Sequence, residues 1–95
     1  MTFEWDEKKN KINKTKHKIS FEDALYVFAD PFALTRNDIS DSEGRHQIIG
    51  HINGVLMILA VYTVRKNDQE EIIRIISARK ATLAERRQYE KGNWF

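Results

Sequence analysis

Arginine residues cluster near the end of the chain, where a β-branched segment passes directly into a basic helix. Arg74 lies within the segment, Arg79 ends it, and Arg86 follows on the predicted helix. A guanidinium group presents several N–H donors in one plane, and this geometry matches the oxygens of a phosphate group. The spacing therefore indicates a protein that binds nucleic acid or cleaves it.

RNA can be cleaved without a metal ion when its 2′-hydroxyl attacks the adjacent phosphorus. The reaction needs a base for the hydroxyl, an acid for the leaving 5′-oxygen, and cations for the developing negative charge. On a regular strand, Arg74 and Arg79 face opposite sides. They are therefore not expected to clamp one phosphate unless a β-bulge intervenes.

Two arginine clusters are expected instead. A hairpin pairs the start of one strand with the end of the next, which brings Arg45 near Arg65. Arg79 and Arg86 lie close together at the junction of strand and helix. We take Arg45, Arg65 and Arg79 as candidate catalytic residues, and Arg74 and Arg86 as candidate RNA-binding residues. The alternative for each arginine is a surface ion pair with a nearby glutamate.

His17 is the candidate for proton transfer. An unperturbed histidine titrates near pH 6.5, and a general acid or base is most efficient when its pKa lies near the working pH. The alternative is a histidine that closes the first helix. Lys9 and Lys16 are candidate contacts to RNA phosphates, with ordinary solvated lysines as the alternative. Tyr89 could stack on a base, but its helical spacing also suits packing on the sheet.

The sequence offers no strong metal site. His46 and His51 are five residues apart and would face opposite sides of a regular strand. Asp38, Asp41 and Glu43 lie on a predicted loop and could bind a hard cation, although a solvated acidic loop is the preferred interpretation. We therefore predict a metal-independent reaction and no cofactor.

The composition is that of one globular domain spanning residues 1–95, with 41% hydrophobic and 32% charged residues. The longest apolar run, Val55 to Val61, is too short to span a membrane, and the first residues lack an apolar signal core. These features predict a cytoplasmic protein without membrane contact. Basic segments at residues 8–18 and 72–91 could meet as one positive face, with two separate solvated faces as the alternative.

The first third of the chain predicts two helices. Asp6 is a suitable N-cap for a polar helix over residues 7–16, held to the core by Trp5 and Ile12. The preceding residues 3–5 form either a short strand or an anchoring segment. Ser20 caps a second helix with an apolar stripe that ends before Pro31.

Four strands and a final helix follow. The strands are predicted at residues 32–37, 45–52, 55–64 and 71–79, with a loop at residues 38–44 and a hairpin turn at Asn53-Gly54. Thr82 and Glu85 form a capping box for the last helix, which Gly92 can end. The predicted fold is α+β in the order α-α-β-β-β-β-α, with helices packed on a twisted antiparallel sheet.

The chain resembles the BrnT toxins of bacterial type II toxin–antitoxin systems over nearly its full length. Each matching segment is short, but the ordered set is specific. Two positions depart from the pattern: Lys18, where glycine is usual, and Gly44, where an acidic residue is common. The matching residues are Phe3-Glu4-Trp5-Asp6, Lys9, Asn13, Lys16-His17, Ser20-Phe21, Ala24, Asp30-Pro31, Arg45, Gly50, Val61-Tyr62-Thr63, Arg65, Arg74-Ile75-Ile76-Ser77-Ala78-Arg79, Ala81, Glu85-Arg86 and Tyr89.

This resemblance implies a RelE-like fold and an endoribonuclease that inhibits translation and growth. It also implies neutralisation by a BrnA-like antitoxin with a ribbon-helix-helix domain, and contact with operator DNA only through that complex. His17 is the only histidine within the family pattern. The alternative function is a non-catalytic basic module that binds nucleic acid or a protein partner, and a DNA-binding protein is a third possibility.

Overall fold

The computed structural model describes residues 1–38 and 44–94, and it confirms the α+β class. Short turns join most of the elements, and the second helix continues as a 3-10 helix over Leu25–Ala29. The strands are β1 (Thr2–Glu4), β2 (Leu34–Asn37), β3 (His46–Ile52), β4 (Leu56–Asn67) and β5 (Glu70–Lys80); the helices are α1 (Glu7–His17), α2 (Phe21–Ala24) and α3 (Leu83–Lys91).

The five strands form one sheet in the order β1-β5-β4-β3-β2. Strands β2 to β5 make the predicted antiparallel meander. Strand β1 pairs with β5 in parallel, with Phe3 opposite Ile73, so the sheet is mixed. The predicted element order omits β1, although a short strand at residues 3–5 was one of the two alternatives for this segment. A strand of three residues shows no useful periodicity, and its partner lies at the far end of the chain.

Tight turns set the register of the meander. Asn53 and Gly54 both have positive φ, at 54° and 68°, as the predicted hairpin between β3 and β4 requires. Strands β4 and β5 extend beyond their predicted ends and meet at a shorter turn, in which Asp68 has φ of 53°. The longer strands carry Arg65 and its neighbours to the end of the sheet.

Within α1 itself, polar side chains make the attachment to the protein. Of the two predicted anchors, Trp5 packs against the core as expected, but Ile12 is 63% exposed, whereas Asn10 and Asn13 are buried. The Asn13 amide donates to the Ala78 carbonyl at 2.8 Å and accepts from the Ala78 N–H at 3.2 Å. This amide thus pairs with the edge of β5 that faces away from β4, beyond the residues that β1 covers.

The two faces of the sheet carry different helices. One face packs under α1 and α2, around Phe21, Val27 and Ile75. The other packs under α3 and the C-terminal segment, around Ile49, Leu59 and the buried ring of Trp94. The basic residues of α1 and those of α3 therefore lie on opposite sides of the sheet, although β5, the first part of the second basic segment, contacts α1.

Candidate functional site

A β-bulge in β5 places Arg74 and Arg79 on the same side of the sheet. Ser77 pairs with Val61, but Ile75 pairs with Tyr62, so Ile76 has no partner on β4. Arg74 lies opposite Thr63 and Arg79 opposite Leu59, two residues of one parity on β4. Because cross-strand partners share a face, both arginines lie on the α3 side. A regular strand would have separated them.

Arg65 lies on the same face, since it shares the parity of Thr63 and Leu59 on β4. We call the surface that carries Arg65, Arg74 and Arg79 the arginine face. Two carboxylates organise it, one at each end.

Glu4 holds the first end of the arginine face. Its Oε1 accepts from Arg65 Nη2 at 2.8 Å, and its Oε2 accepts from Arg74 Nη1 at 2.7 Å. The hydrogen bond from Arg74, together with the two positive charges, lowers the pKa of Glu4. Arg65 is therefore grouped with Arg74 through Glu4. Arg45 comes just before His46, which pairs with Tyr62, so it lies toward this end of the sheet.

Glu85 holds the other end. Its carboxylate accepts from Arg79 Nη1 at 2.8 Å and from Arg79 Nη2 at 2.9 Å, a bidentate pair. Oε1 also accepts from the Thr82 N–H, because Thr82 and Glu85 form the predicted capping box of α3. The hydrogen bonds that Arg79 donates to Glu85 raise the pKa of its guanidinium above the ordinary value. Burial raises the pKa of Glu85, but the hydrogen bonds from Arg79 and Thr82 outweigh burial, so the net shift is downward.

Arg86 follows Glu85 on α3 and is exposed. The Arg79–Glu85 pair holds the first turn of α3 beside the end of β5, and Arg86 is the next residue on this helix. Within residues 1–38 and 44–94, Arg86 has no carboxylate partner. It therefore remains available to a phosphate.

His17 is the last residue of α1 and is partly exposed. The chain from β1 into α1 runs along β5 in the same direction, since Glu4 lies opposite Arg74 and Asn13 bonds to Ala78. His17 comes one turn after Asn13 on the same face of the helix, and so lies toward the last residues of β5. This is the end of the strand that carries Arg79, but His17 lies on the α1 side of the sheet and the arginine face lies on the α3 side.

The remaining candidates are less directly placed. Lys9 and Lys16 are exposed on α1, in the layer opposite α3. Tyr89 packs against the cluster around Ile49 and Leu59, and its hydroxyl is hydrogen-bonded, which matches the packing alternative rather than an open base-stacking position.

Sequence reasoning missed a network of Asp30, His51 and Tyr89. The Asp30 Oδ2 accepts from the Tyr89 hydroxyl at 2.7 Å and from the His51 N–H at 2.8 Å. His51 Nδ1 lies 3.3 Å from the same hydroxyl. Because the hydroxyl donates to Asp30, the geometry suits donation from Nδ1–H to Tyr89. The network joins the end of the 3-10 helix, β3 and α3, and so fixes α3 on the sheet.

The environment of this network shifts two pKa values. Burial acts to raise the pKa of Asp30, but hydrogen bonds from the N–H groups of His51 and Phe32 and from Tyr89 outweigh it, so the net shift is downward. Burial, followed by the hydrogen bond to Asp30, raises the pKa of Tyr89 to about 12. The spacing around Asp30-Pro31 predicts only a helix stop, whereas in the fold Asp30 also supplies the carboxylate of this network.

Arg36 was also missed. Its guanidinium lies 4.1 Å from the centre of the Trp94 ring, and its Nε donates to Gln47 at 2.9 Å. Trp94 itself is 8% exposed, so this aromatic residue folds back on the protein. The last residue, Phe95, lies outside the described part of the chain.

The described residues contain no group of three or more carboxylate or histidine side chains suited to hold a metal ion. His46 packs on Tyr62 and His51 on Tyr89, on opposite faces as predicted. Asp41 and Glu43 of the acidic loop lie outside the described residues. Within those residues, no helix is long and apolar enough to cross a membrane.

Comparison with known proteins gives two matches. Residues 5–85 match the family model for the BrnT ribonuclease toxin of type II toxin–antitoxin systems. The crystal structure of the ribonuclease toxin BrnT from Brucella abortus is similar, with a TM-score of 0.66 and 25% sequence identity, covering 86% of this chain and 97% of that one. No curated protein matches the chain.

Proposed function

Because the chain belongs to the BrnT family of ribonuclease toxins of type II toxin–antitoxin systems, we propose that it cleaves RNA on the arginine face without a metal ion. The observation that carries the location is the bulge at Ile76, which brings Arg74 and Arg79 to one side of the sheet. Arg65 joins them through Glu4. Cations on one rigid face suit a phosphate backbone.

Arg79 binds the scissile phosphate in this proposal. It is 38% exposed, and Glu85 holds its guanidinium plane in place, so little reorganisation precedes the reaction. Arg65 and Arg45 add positive charge from β4 and from the start of β3. Arg74 and Arg86 bind flanking phosphates, and Lys9 and Lys16 bind more distant ones. Tyr89 supports this surface by fixing α3.

His17 transfers the proton from the α1 side of the sheet, so the RNA must pass around the end of β5 that carries Arg79. The 2′-oxygen forms a bond to phosphorus, the bond from phosphorus to the 5′-oxygen breaks, and the 5′-oxygen leaves with a proton. A neutral imidazole can accept the 2′-hydroxyl proton, and an imidazolium can supply the one that the leaving group takes. The products expected from this route are a 2′,3′-cyclic phosphate and a 5′-hydroxyl.

We further propose the partners that the family membership suggests. A BrnA-like ribbon-helix-helix antitoxin neutralises the protein, and operator DNA is bound only through that complex. The fold is of the RelE-like type, and RNA cleavage in the cytoplasm inhibits translation and growth. The face that binds RNA carries several cations, so we expect its affinity for RNA to fall steeply with salt.

The test is cleavage by purified, antitoxin-free protein in excess EDTA. We expect a defined RNA to be cut at an undiminished rate, and products with cyclic phosphate ends. Arg79→Ala, prepared in the same way, controls for a contaminating nuclease. If the folded protein binds RNA in a salt-dependent manner but leaves it intact with and without Mg²⁺, the catalytic proposal fails. Cleavage only with added Mg²⁺ contradicts metal independence.

A further inference from the structure

We propose that Glu4 is a positioning residue that presents Arg65 and Arg74 as a single phosphate-binding pair. The inference rests on the proposed function and deepens it. Glu4 takes no part in the bond changes, but the rate of cleavage depends on it. Strands β1, β5 and β4 bring the three side chains together. The side chain that contacts both others is the carboxylate of Glu4.

The register of the sheet makes this arrangement specific. Glu4 on β1 lies opposite Arg74 on β5, and Arg74 lies opposite Thr63 on β4. Arg65, two residues after Thr63, lies diagonally across from Arg74 and reaches the other oxygen of Glu4 at 2.8 Å. Each carboxylate oxygen therefore binds one guanidinium. Without β1, which no periodicity predicted, nothing would bridge the two arginines.

Two adjacent guanidinium groups repel each other, and free arginine side chains lose much rotamer freedom when they bind a ligand. Glu4 offsets the repulsion and orders both side chains before RNA arrives. Within the described residues, Arg65 and Arg74 each use one N–H on Glu4. A guanidinium has five N–H donors, so the remaining ones are open to a phosphate.

Glu4 is a better test of positioning than Glu85. Glu85 also caps α3, so its removal would disturb the helix together with Arg79. Glu4 caps no helix, and its partners Arg65 and Arg74 have side chains that are 60% and 40% exposed. Ion pairs of such exposure contribute little to stability. Replacing Glu4 is therefore expected to leave the fold intact and to change only the arrangement of the two arginines.

The experiment compares Glu4→Gln with Glu90→Gln, a matched loss of one exposed negative charge on α3. Cleavage of a short RNA gives kcat and KM, and a copy with a 2′-deoxy sugar at the cleavage site gives binding without reaction. We expect Glu4→Gln to lower kcat at least roughly tenfold, because misplaced substrate reacts slowly. Affinity for the deoxy copy should be higher, because a negative charge beside the bound phosphate is removed, and Glu90→Gln should resemble wild type.

A double-mutant cycle with Arg74→Ala shows whether Glu4 acts through its arginine partner. In the Arg74→Ala background, Glu4→Gln should lower kcat by a much smaller factor than in wild type. Wild-type kcat in Glu4→Gln overturns the proposal. A rise in both affinity and kcat also overturns it, since Glu4 would then be a competitor of phosphate. Parallel losses of affinity, kcat and melting temperature would make Glu4 a structural residue.

Failure of the proposed function is distinguishable from failure of this inference. If wild-type protein does not cleave RNA, the proposed function fails. The double-mutant cycle is then measured with the affinity for the deoxy copy in place of kcat. Glu4→Gln and Arg74→Ala must still be non-additive in that binding if Glu4 positions Arg74. Additive effects overturn the inference whether or not RNA is cut.

Discussion

The carboxylate of Asp30 occupies the space that a side chain on Gly50 would need. A Cβ added to Gly50 would lie 2.8 Å from Asp30 Oδ2, and also 3.1 Å from Val27 and 3.2 Å from Ala33. This close approach lets Asp30 reach the His51 N–H and the Tyr89 hydroxyl, and thereby joins β3 to α3. Gly50 is thus part of the support of the arginine face, although it lies outside that face.

Gly50→Ala should destabilise the protein by roughly 1–3 kcal/mol, because the added methyl group overpacks a buried site. Denaturant unfolding measures the change. In an Asp30→Ala background the nearest of the three contacts is removed, so the cost of Gly50→Ala should be smaller. Equal costs in the two backgrounds would show that the Asp30 carboxylate does not limit the site.

Stability should fall at both extremes of pH through the Asp30–Tyr89 contact. The raised pKa of Tyr89 means that its contribution is fully present below pH 10, its ordinary pKa, and is lost as the pH rises through about 12. The lowered pKa of Asp30 means that its contribution is present above 3.8, its ordinary value, and is lost as the pH falls through the lowered pKa. Unfolding of wild type and Tyr89→Phe across pH tests this; an unchanged alkaline limb in Tyr89→Phe would contradict it.

Lys18→Gly should stabilise the protein by about 1 kcal/mol, because Lys18 ends α1 in the left-handed conformation that glycine adopts without strain. Its φ is 62°, and its N–H donates to the Lys14 carbonyl at 2.9 Å. Lys16→Gly is the matched control within the helix and should destabilise by about 1 kcal/mol. Thermal unfolding distinguishes the two, and a loss of stability in Lys18→Gly would refute the strain.

Arg79→Ala should abolish RNA cleavage and growth inhibition while changing stability by no more than about 1 kcal/mol, since the Arg79–Glu85 pair is partly exposed. Arg79→Lys should also be nearly inactive, because lysine cannot make the bidentate contact with Glu85 that holds the Arg79 guanidinium in place. Arg87→Ala removes the same charge from an exposed position on α3 and should retain activity. A large loss of stability in Arg79→Ala would instead make Arg79 a structural residue.

His17→Ala should lower the rate of RNA cleavage far more than the affinity for RNA, typically by 10²–10⁴-fold for a lost proton-transfer group. Lys16→Ala, the neighbouring control, should weaken binding slightly and only at low salt. Single-turnover cleavage and binding to a 2′-deoxy oligonucleotide measure the two quantities. Equal losses in both would remove the proton-transfer role of His17.

The sequence by itself determined the α+β class, the antiparallel meander, the hairpin at Asn53-Gly54 and the capping box at Thr82 and Glu85. These features depend on nearby residues, whose spacing and turn chemistry are visible in the chain. The arginines were identifiable for the same reason, because the type of each side chain already indicates the ligand that it suits.

Only the tertiary structure decided which arginines share a face. The bulge at Ile76 reverses the parity between Arg74 and Arg79, and a bulge is a property of two paired strands rather than of one. Glu4 bridges Arg65 and Arg74 because a three-residue strand pairs with a segment some seventy positions away. Contacts of this kind arise from packing between segments that are distant in the sequence. Local sequence patterns do not indicate which of these segments will pair.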